Sequence, residues 1–166
     1  MAIFEGSAVA LVLPMNEDGS IDYDGFRRQV KRMIDGGVKA LLVNGTTGET
    51  ATIHIDDEFE LLDITLEMAR GNDVKVIAGA GSNDTATALK KAKYAKEKGA
   101  DAILVVTPYY NKTSQRGLIT HYTTIADTVD IPMILYNVPG RTGVKIDVNT
   151  VVTLAKHKNI VAMKDA

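Results

Sequence analysis

The stretch Asn159-Ile160-Val161-Ala162-Met163-Lys164 is an apolar run that ends on a lysine, and it decides how the fold is interpreted. Earlier apolar runs also end on polar residues. These are Gly45-Thr46-Thr47-Gly48-Glu49, Thr107-Pro108-Tyr109-Tyr110 and Tyr136-Asn137-Val138-Pro139-Gly140-Arg141-Thr142-Gly143. Polar chemistry at the carboxyl ends of several parallel strands is how a (β/α) barrel builds its site. The pattern therefore predicts strands whose ends carry functional side chains.

Short apolar runs alternate with helical patterns at a period of about 30 residues, which is the size of a βα unit. Strands are predicted near Ala8–Leu13, Ala40–Val43, Val74–Ala78, Ala102–Val106, Met133–Tyr136 and Ile160–Met163. Helices are predicted near Tyr23–Asp35, Asp56–Arg70, Asp84–Lys98, Ser114–Thr128 and Val148–Lys156. Strict alternation with near-continuous apolar strands indicates a parallel α/β fold, because such strands are covered on both faces.

Two architectures remain open at this point: an open doubly wound sheet, and part of an eight-stranded barrel. Six strands cannot close an eight-stranded barrel, which typically needs about 200 residues or more, and this chain has 166. Under the barrel interpretation the chain is a fragment or is completed by other segments. An incomplete barrel is expected to expose an edge strand and part of its inner face.

The composition is that of an ordinary globular protein, with a formal net charge of -2, 45% hydrophobic and 24% charged residues. Such a balance gives no electrostatic case for nucleic acid or an anionic membrane. The chain has no cysteine, so disulfides and thiolate chemistry are excluded. The run Ala8–Leu13 is too short for a signal-peptide core or a membrane span, and we expect a cytoplasmic protein.

Neither a metal nor a bound cofactor is predicted. The three histidines, His54, His121 and His157, lie far apart without the spacing of metal ligands. The segment Gly79-Ala80-Gly81-Ser82-Asn83 is rich in small residues, but it lacks the full dinucleotide-binding fingerprint.

Lys164 is a candidate amine nucleophile. An amine held among Val161, Ala162 and Met163 is expected to lose hydration, which disfavours its charged form. A neutral amine can attack a ketone and form a Schiff base. The alternative is a lysine that extends to solvent from a strand end or pairs with Asp165.

The other motifs offer groups that suit a keto-acid substrate. The hydroxyls and N–H groups of Gly45–Glu49 could hold a carboxylate, although the segment also fits a plain turn between strand and helix. Tyr109, Tyr110 and Tyr136 could pass protons along a relay, or could simply pack at strand ends. Arg141 could bind a carboxylate with two hydrogen bonds, or could be an ordinary surface arginine.

Together these motifs resemble the dihydrodipicolinate synthases, within the pyruvate-dependent class I aldolase family that includes N-acetylneuraminate lyase. The resemblance runs from Gly6 to Ala166, and the segment Tyr136–Gly143 is the part most specific to the synthases. It implies a (β/α)8 TIM barrel. Residues 1–166 would then be its amino-terminal part, with about the first six strands and five helices, and the later strands and a C-terminal helical segment absent.

The resemblance also implies a reaction, the Schiff-base condensation of pyruvate with L-aspartate 4-semialdehyde to 4-hydroxy-tetrahydrodipicolinate, in lysine and diaminopimelate biosynthesis. Lys164 matches the lysine that forms the Schiff base with pyruvate, so no separate cofactor is implied. Thr47 matches the threonine that holds the pyruvate carboxylate, and Arg141 matches the arginine that receives the carboxylate of the semialdehyde.

By the same resemblance, Thr46, Tyr136 and Tyr110 match a proton relay. The tyrosine that Tyr110 matches reaches into the neighbouring site across a tight dimer, so a homodimer or homotetramer is implied. One departure from the family is Leu13, which stands where a threonine is usual and predicts a local change of packing.

Two other functions are open. One is a related lyase that releases pyruvate from a sugar acid, against which Arg141 argues. The other is an inactive fragment of a synthase that assembles with itself or with a complementary fragment, and it follows from the missing strands. We expect little or no synthase activity from the isolated chain.

Overall fold

A computed structural model describes residues 3–166 of the chain. Met1 and Ala2, with which the predicted 1–166 domain begins, lie outside the described residues. The chain divides into two compact units. The first comprises the described residues up to Gly79 together with Lys98–Ala100, and the second comprises Ala80–Glu97 and Asp101–Ala166.

The first unit contains three parallel strands that neighbour one another in chain order. Its elements are β1 (Ala8–Ala10), α1 (Tyr23–Asp35), β2 (Ala40–Val43), 3₁₀ turns at Thr46–Gly48 and Thr50–Thr52, α2 (Ile55–Ala69) and β3 (Lys75–Gly79). β2 lies between β1 and β3, and all of its residues are buried. This is the environment that its uninterrupted apolar sequence predicts.

The second unit repeats the same construction with three further parallel strands in chain order. Its elements are α3 (Thr85–Lys98), β4 (Ala102–Val106), α4 (Gln115–Thr128), β5 (Met133–Asn137), α5 (Pro139–Thr142), α6 (Val148–Leu154) and β6 (Ile160–Asp165). The last residue of α3, Lys98, belongs to the first unit. Its buried core is built from α4 and the strands beneath it, including Leu118, Tyr122, Ile125, Met133 and Leu135.

The predicted alternation of strands and helices is confirmed, with small differences at some boundaries. β1 ends at Ala10 instead of Leu13, although the Leu11 N–H still donates to the Leu42 carbonyl at 2.9 Å. α5 was not predicted, because four residues are too few to show helical periodicity. Pro139 begins it, and a proline at the first helical position already has the backbone angle that a helix needs.

Short-range contacts cap α3 and α4. The Asp84 carboxylate accepts a hydrogen bond from the Thr87 N–H at 2.8 Å, and the hydroxyl and N–H of Thr87 hold the pKa of Asp84 below its usual value. Gly99 follows α3 with φ +88°, as a C-terminal glycine should. Ser114 accepts a hydrogen bond from the Gly117 N–H at the start of α4.

Large apolar side chains are exposed at the carboxyl-terminal end of the second unit. Val148 and Val152 on α6 are 76% and 56% exposed, and Val161 on β6 is 44% exposed. An exposed edge strand was expected of an incomplete barrel.

Among residues 3–166, none of the helices has both the length and the apolarity that crossing a membrane requires.

Candidate active site around Lys164

Lys164 and Tyr136 contact each other across two neighbouring strands. Tyr136 on β5 is the register partner of Lys164 on β6. The Lys164 Nζ lies 4.3 Å from the centroid of the Tyr136 ring, within the range of a cation–π interaction. Tyr136 itself is buried, at 7% exposure, so its phenol ring has a fixed position beneath the amine.

A β-bulge in β6 sets this pairing. Met133 pairs with Ile160, but the next residue, Ile134, pairs with Ala162, so Val161 is an extra residue on β6. One extra residue moves every later side chain of the strand to the opposite face. The bulge therefore determines that Lys164 lies on the same face as Tyr136.

The expected loss of hydration at Lys164 is wrong for the chain as it is folded here. Lys164, Val161 and Ala162 are exposed, and Met163 is half-buried. The physical reason is the position of β6, which among residues 3–166 has a strand partner on the β5 side only. Apolar neighbours in sequence cannot remove water from an amine when no element covers their strand.

The Gly45–Glu49 segment in the first unit is a compact turn with a left-handed residue at each side. Asn44 and Glu49 have φ of 58° and 53°, and Thr46–Gly48 form a 3₁₀ turn between them. Thr46 and Thr47 are exposed, so their hydroxyls are open to a ligand. A Cβ on Gly48 would lie 3.1 Å from the Leu11 carbonyl oxygen, which explains why this turn contains a glycine.

Tyr110 lies in the loop after β4 and is 87% exposed. Its φ of 70° is in the left-handed region, which is unusual for a bulky residue and often marks functional loops. The neighbouring Asn111 steadies this loop, because its side-chain amide donates to the Asn83 carbonyl at 3.0 Å. The phenol of Tyr110 is therefore presented to solvent from an ordered turn.

Arg141 is exposed on α5, directly after β5. The next residue, Thr142, is buried, and its hydroxyl oxygen accepts from the Val144 N–H at 3.2 Å. Gly143 then ends α5 with φ +69°, a conformation that suits glycine. These contacts fix the turn that carries the Arg141 guanidinium.

Sequence reasoning missed two buried polar groups in the second unit. Asn137 is 3% exposed, and its side chain bonds to both Asp165 and Ile146. His121 is 5% exposed with its Nδ1 2.8 Å from the Thr85 hydroxyl, and burial lowers the pKa of His121 to about 4. Asn137 stood inside a quoted motif, whereas nothing in the sequence distinguished His121 from a surface histidine.

His121 borders a cavity of about 430 Å³ in the same unit. Its lining is rich in hydroxyl and amide groups: Asn83, Thr85, Pro108, Asn111, Thr113, Gly117, Thr120, His121 and Thr124. None of the predicted site residues borders it.

Within residues 3–166, no three histidine, aspartate or glutamate side chains gather in a group that could hold a metal ion.

The structure thus brings two of the predicted site residues, Lys164 and Tyr136, into contact. Tyr110, in the loop after β4, and Arg141, on α5, belong to the same unit, and Thr46 and Thr47 lie in the first unit. The roles of these residues remain predictions.

Comparison with known proteins gives a consistent result. The model of the dihydrodipicolinate synthetase family matches residues 3–166. The 4-hydroxy-tetrahydrodipicolinate synthase of Geobacter metallireducens is 51% identical over 99% of this chain and 56% of its own length. The enzyme of the same name from Staphylococcus saprophyticus is 48% identical over 99% of this chain and 55% of its own length.

Solved structures agree. A crystal structure of chloride-inhibited dihydrodipicolinate synthase from Acinetobacter baumannii, complexed with pyruvate, superposes with a TM-score of 0.94 at 45% identity. The match covers 97% of this chain and 55% of that one. These neighbours confirm the predicted fold class, part of a (β/α) barrel, over an open doubly wound sheet. The chain spans little more than half the length of the relatives that it matches.

Proposed function

The chain belongs to the dihydrodipicolinate synthetase family, and we propose that it carries the central catalytic groups of 4-hydroxy-tetrahydrodipicolinate synthesis. The reaction joins pyruvate to L-aspartate 4-semialdehyde by an aldol condensation. One observation carries this assignment: the Lys164 Nζ lies 4.3 Å from the centroid of the buried Tyr136 ring, on the neighbouring strand.

Lys164 is the proposed nucleophile toward pyruvate. Its neutral amine attacks the ketone carbon, and loss of water leaves an iminium between Nζ and that carbon. The positive iminium then draws electrons from the adjacent methyl group. Loss of a proton from that methyl group converts the iminium into an enamine. The enamine carbon attacks the aldehyde of the second substrate, whose oxygen takes up a proton. The amino group of that substrate then displaces the Lys164 amine from the iminium carbon as the ring closes. The pyruvate complex of the Acinetobacter relative supports this choice of first substrate.

Tyr136, Thr46 and Tyr110 are the proposed proton relay. A hydroxyl can take up and return a proton without placing a permanent negative charge beside the iminium. The support for Tyr136 is its contact with Lys164. The support for Thr46 and Tyr110 is the family resemblance, together with their exposure to solvent.

Thr47 and Arg141 are the proposed substrate-binding residues. Thr47 would donate to the pyruvate carboxylate from the turn after β2. Arg141 would pair with the carboxylate of the semialdehyde, where a guanidinium can form two parallel hydrogen bonds. A preference for this acid over a sugar acid distinguishes the synthase from the related lyases.

We further propose that the full reaction needs more than these 166 residues. The relatives are nearly twice as long, and Lys164 is exposed on a strand with open apolar neighbours. An exposed amine keeps its hydration shell, which opposes its attack on a ketone. The exposed Tyr110 fits a cytoplasmic assembly of two or four copies, because another subunit would then cover its phenol.

Exchange of the pyruvate methyl protons in D₂O tests the first half of this chemistry, because exchange requires the iminium and the enamine. We expect slow exchange that depends on the chain. Tyr136→Phe keeps the ring beneath Lys164 but removes the hydroxyl, and should reduce exchange by about 10²-fold. Exchange that is unaffected by Tyr136→Phe would remove Tyr136 from the relay.

The second substrate is tested by adding aspartate semialdehyde to the chain with pyruvate. We expect condensation to be slow, and to be weakened further in Arg141→Ala while methyl exchange is retained. Arg116→Ala, a change at another arginine of the second unit, is the matched control. Preferential cleavage of a keto-deoxy sugar acid would instead identify the lyase.

A further inference from the structure

Asn137 follows Tyr136 at the end of β5, and the chemistry proposed above gives it no role. Its side chain is nevertheless buried, and both of its polar atoms are hydrogen-bonded. The Nδ2 donates to Asp165 Oδ1 at 2.7 Å, and the Oδ1 accepts from the Ile146 N–H at 3.0 Å. Its backbone carbonyl accepts from the Ala166 N–H at 3.0 Å. One residue thus joins the end of β5, the segment before α6, and the end of β6.

We propose that Asn137 is a positioning residue for Lys164. By binding Asp165, it selects the bulged register of β6, in which the lysine faces Tyr136. Asp165 directly follows Lys164 and is the register partner of Asn137. The amide therefore holds the residue next to the amine, at the end of the strand.

The alternative register shows what the bond prevents. Without the bulge at Val161, Met163 would pair with Tyr136, and Lys164 would pair with Asn137. Because side chains alternate along a strand, the amine would then point to the opposite face of β6 from the Tyr136 ring. The Asn137–Asp165 pair forms in the observed register, and a slip of one residue would break it.

Such a constraint matters because little else holds β6 in register. Val161, Ala162 and Lys164 are exposed, so apolar burial discriminates weakly between the two registers. In strands buried on one face a slip would expose the core, and register is strongly specified. Most of β6 lacks that penalty for a register slip. The polar pair at the end of the strand provides one, because a slip would break the pair.

Two substitutions at Asp165 separate register from charge. Asp165→Asn keeps an oxygen that can accept from Asn137, whereas Asp165→Ala removes it. Asp165 is exposed, so both variants should fold. Nuclear Overhauser effects between the Tyr136 ring and the Lys164 side chain report the register directly, without pyruvate. We expect them to persist in Asp165→Asn and to weaken in Asp165→Ala.

The chemical readout rests on the proposed function. Reductive trapping of pyruvate on Lys164 should be about fivefold slower in Asp165→Ala and within about twofold of the unmodified chain in Asp165→Asn. If the unmodified chain traps no pyruvate, the proposed function fails. The magnetic resonance measurement then still decides the role of Asn137.

A reciprocal exchange adds a rescue test. Asn137→Asp alone sets two carboxylates against each other and should slow trapping about tenfold. Adding Asp165→Asn restores a donor and an acceptor in the reverse sense, while the carboxylate introduced at position 137 can still accept from the Ile146 N–H. The double variant should recover both trapping and the Tyr136–Lys164 contact.

Leu118→Ala is the control for general destabilisation, because this fully buried residue belongs to the core of α4. It should lower stability and leave the Tyr136–Lys164 contact intact in the folded molecules. An undiminished contact in Asp165→Ala, or a double variant no better than Asn137→Asp, would overturn the positioning role. Weakening of the contact in Asp165→Ala, with its retention in Asp165→Asn, would support it.

Discussion

β2 and β6 are both apolar in sequence and both lead to proposed site residues, yet they are stabilised in different ways. Every residue of β2 is buried between its two neighbouring strands. In β6 only Ile160 is buried, and the strand bonds to β5 on one side. An apolar run alone therefore does not determine burial, because burial depends on which elements surround the strand.

The difference has a consequence for function. β2 is fixed by apolar burial, and its register delivers the Gly45–Glu49 turn to the end of the strand. β6 is fixed mainly by its backbone bonds to β5 and by the Asn137–Asp165 pair. The position of the Lys164 amine thus depends on polar contacts that could be lost without unfolding the second unit.

The largest expected effect on stability is a pH dependence at His121, a buried polar group of the second unit. Burial lowers the pKa of His121 to about 4, against an opposing effect of Asp84. Between pH 6.5 and 4 the unfolded chain binds a proton that the folded chain does not. The free energy of unfolding should therefore fall as pH falls, by about 3 kcal/mol over that range.

Urea unfolding at several pH values measures this dependence. His121→Gln cannot titrate, so its stability should approach or exceed that of the unmodified chain toward pH 4. Parallel curves for the two proteins would mean that His121 is protonated equally in the folded and unfolded states.

Glycine substitutions test how tightly the end of β2 is packed. A Cβ at Gly79, at the end of β3, would collide with the Asn44 carbonyl that follows β2. Gly79→Ala should cost about 2–3 kcal/mol, because the colliding atoms belong to the backbone. Gly140 on α5 has open space around its Cβ position, and Gly140→Ala should be neutral or stabilise by up to about 1 kcal/mol.

Thermal or urea unfolding compares the two glycine variants directly. Equal losses in both would show that the packing at the end of β2 is looser than the structure indicates.

The same substitution in each strand gives the closest comparison. Val43 on β2 is 1% exposed, and Val161 at the bulge of β6 is 44% exposed. Val43→Ala should cost about 2 kcal/mol through lost burial and a residual cavity. Val161→Ala should change the free energy of unfolding by about 0.5 kcal/mol or less. Similar costs would mean that β6 is covered in solution, as assembly with another copy would produce.

Much of this molecule could be predicted from the sequence because its signals are local. α1 and β2 begin and end at the predicted residues, since a glycine pair follows α1 and a continuous apolar run defines β2. The caps at Asp84 and Ser114 are equally local. Such features depend on a few adjacent residues, whatever surrounds them.

The features that could not be predicted depend on neighbours. The bulge at Val161 lies within a run of apolar residues, so no alternation marks the extra residue. The exposure of Lys164 depends on what covers β6, which its own sequence does not record. The role of Asn137 likewise appears only when Asp165 and Ile146, distant in sequence, are seen to bind it.

The central claim is that the Lys164 amine captures pyruvate, and reductive trapping followed by peptide mass mapping tests it most directly. Lys158→Arg is the matched control, because Lys158 is exposed and pairs with Asp130 at 3.4 Å, away from the Tyr136 ring. We predict a reduced pyruvate adduct on the peptide that contains Lys164, unchanged by Lys158→Arg and absent from Lys164→Arg. Adducts on other lysines, or undiminished labelling of Lys164→Arg, would contradict the assignment.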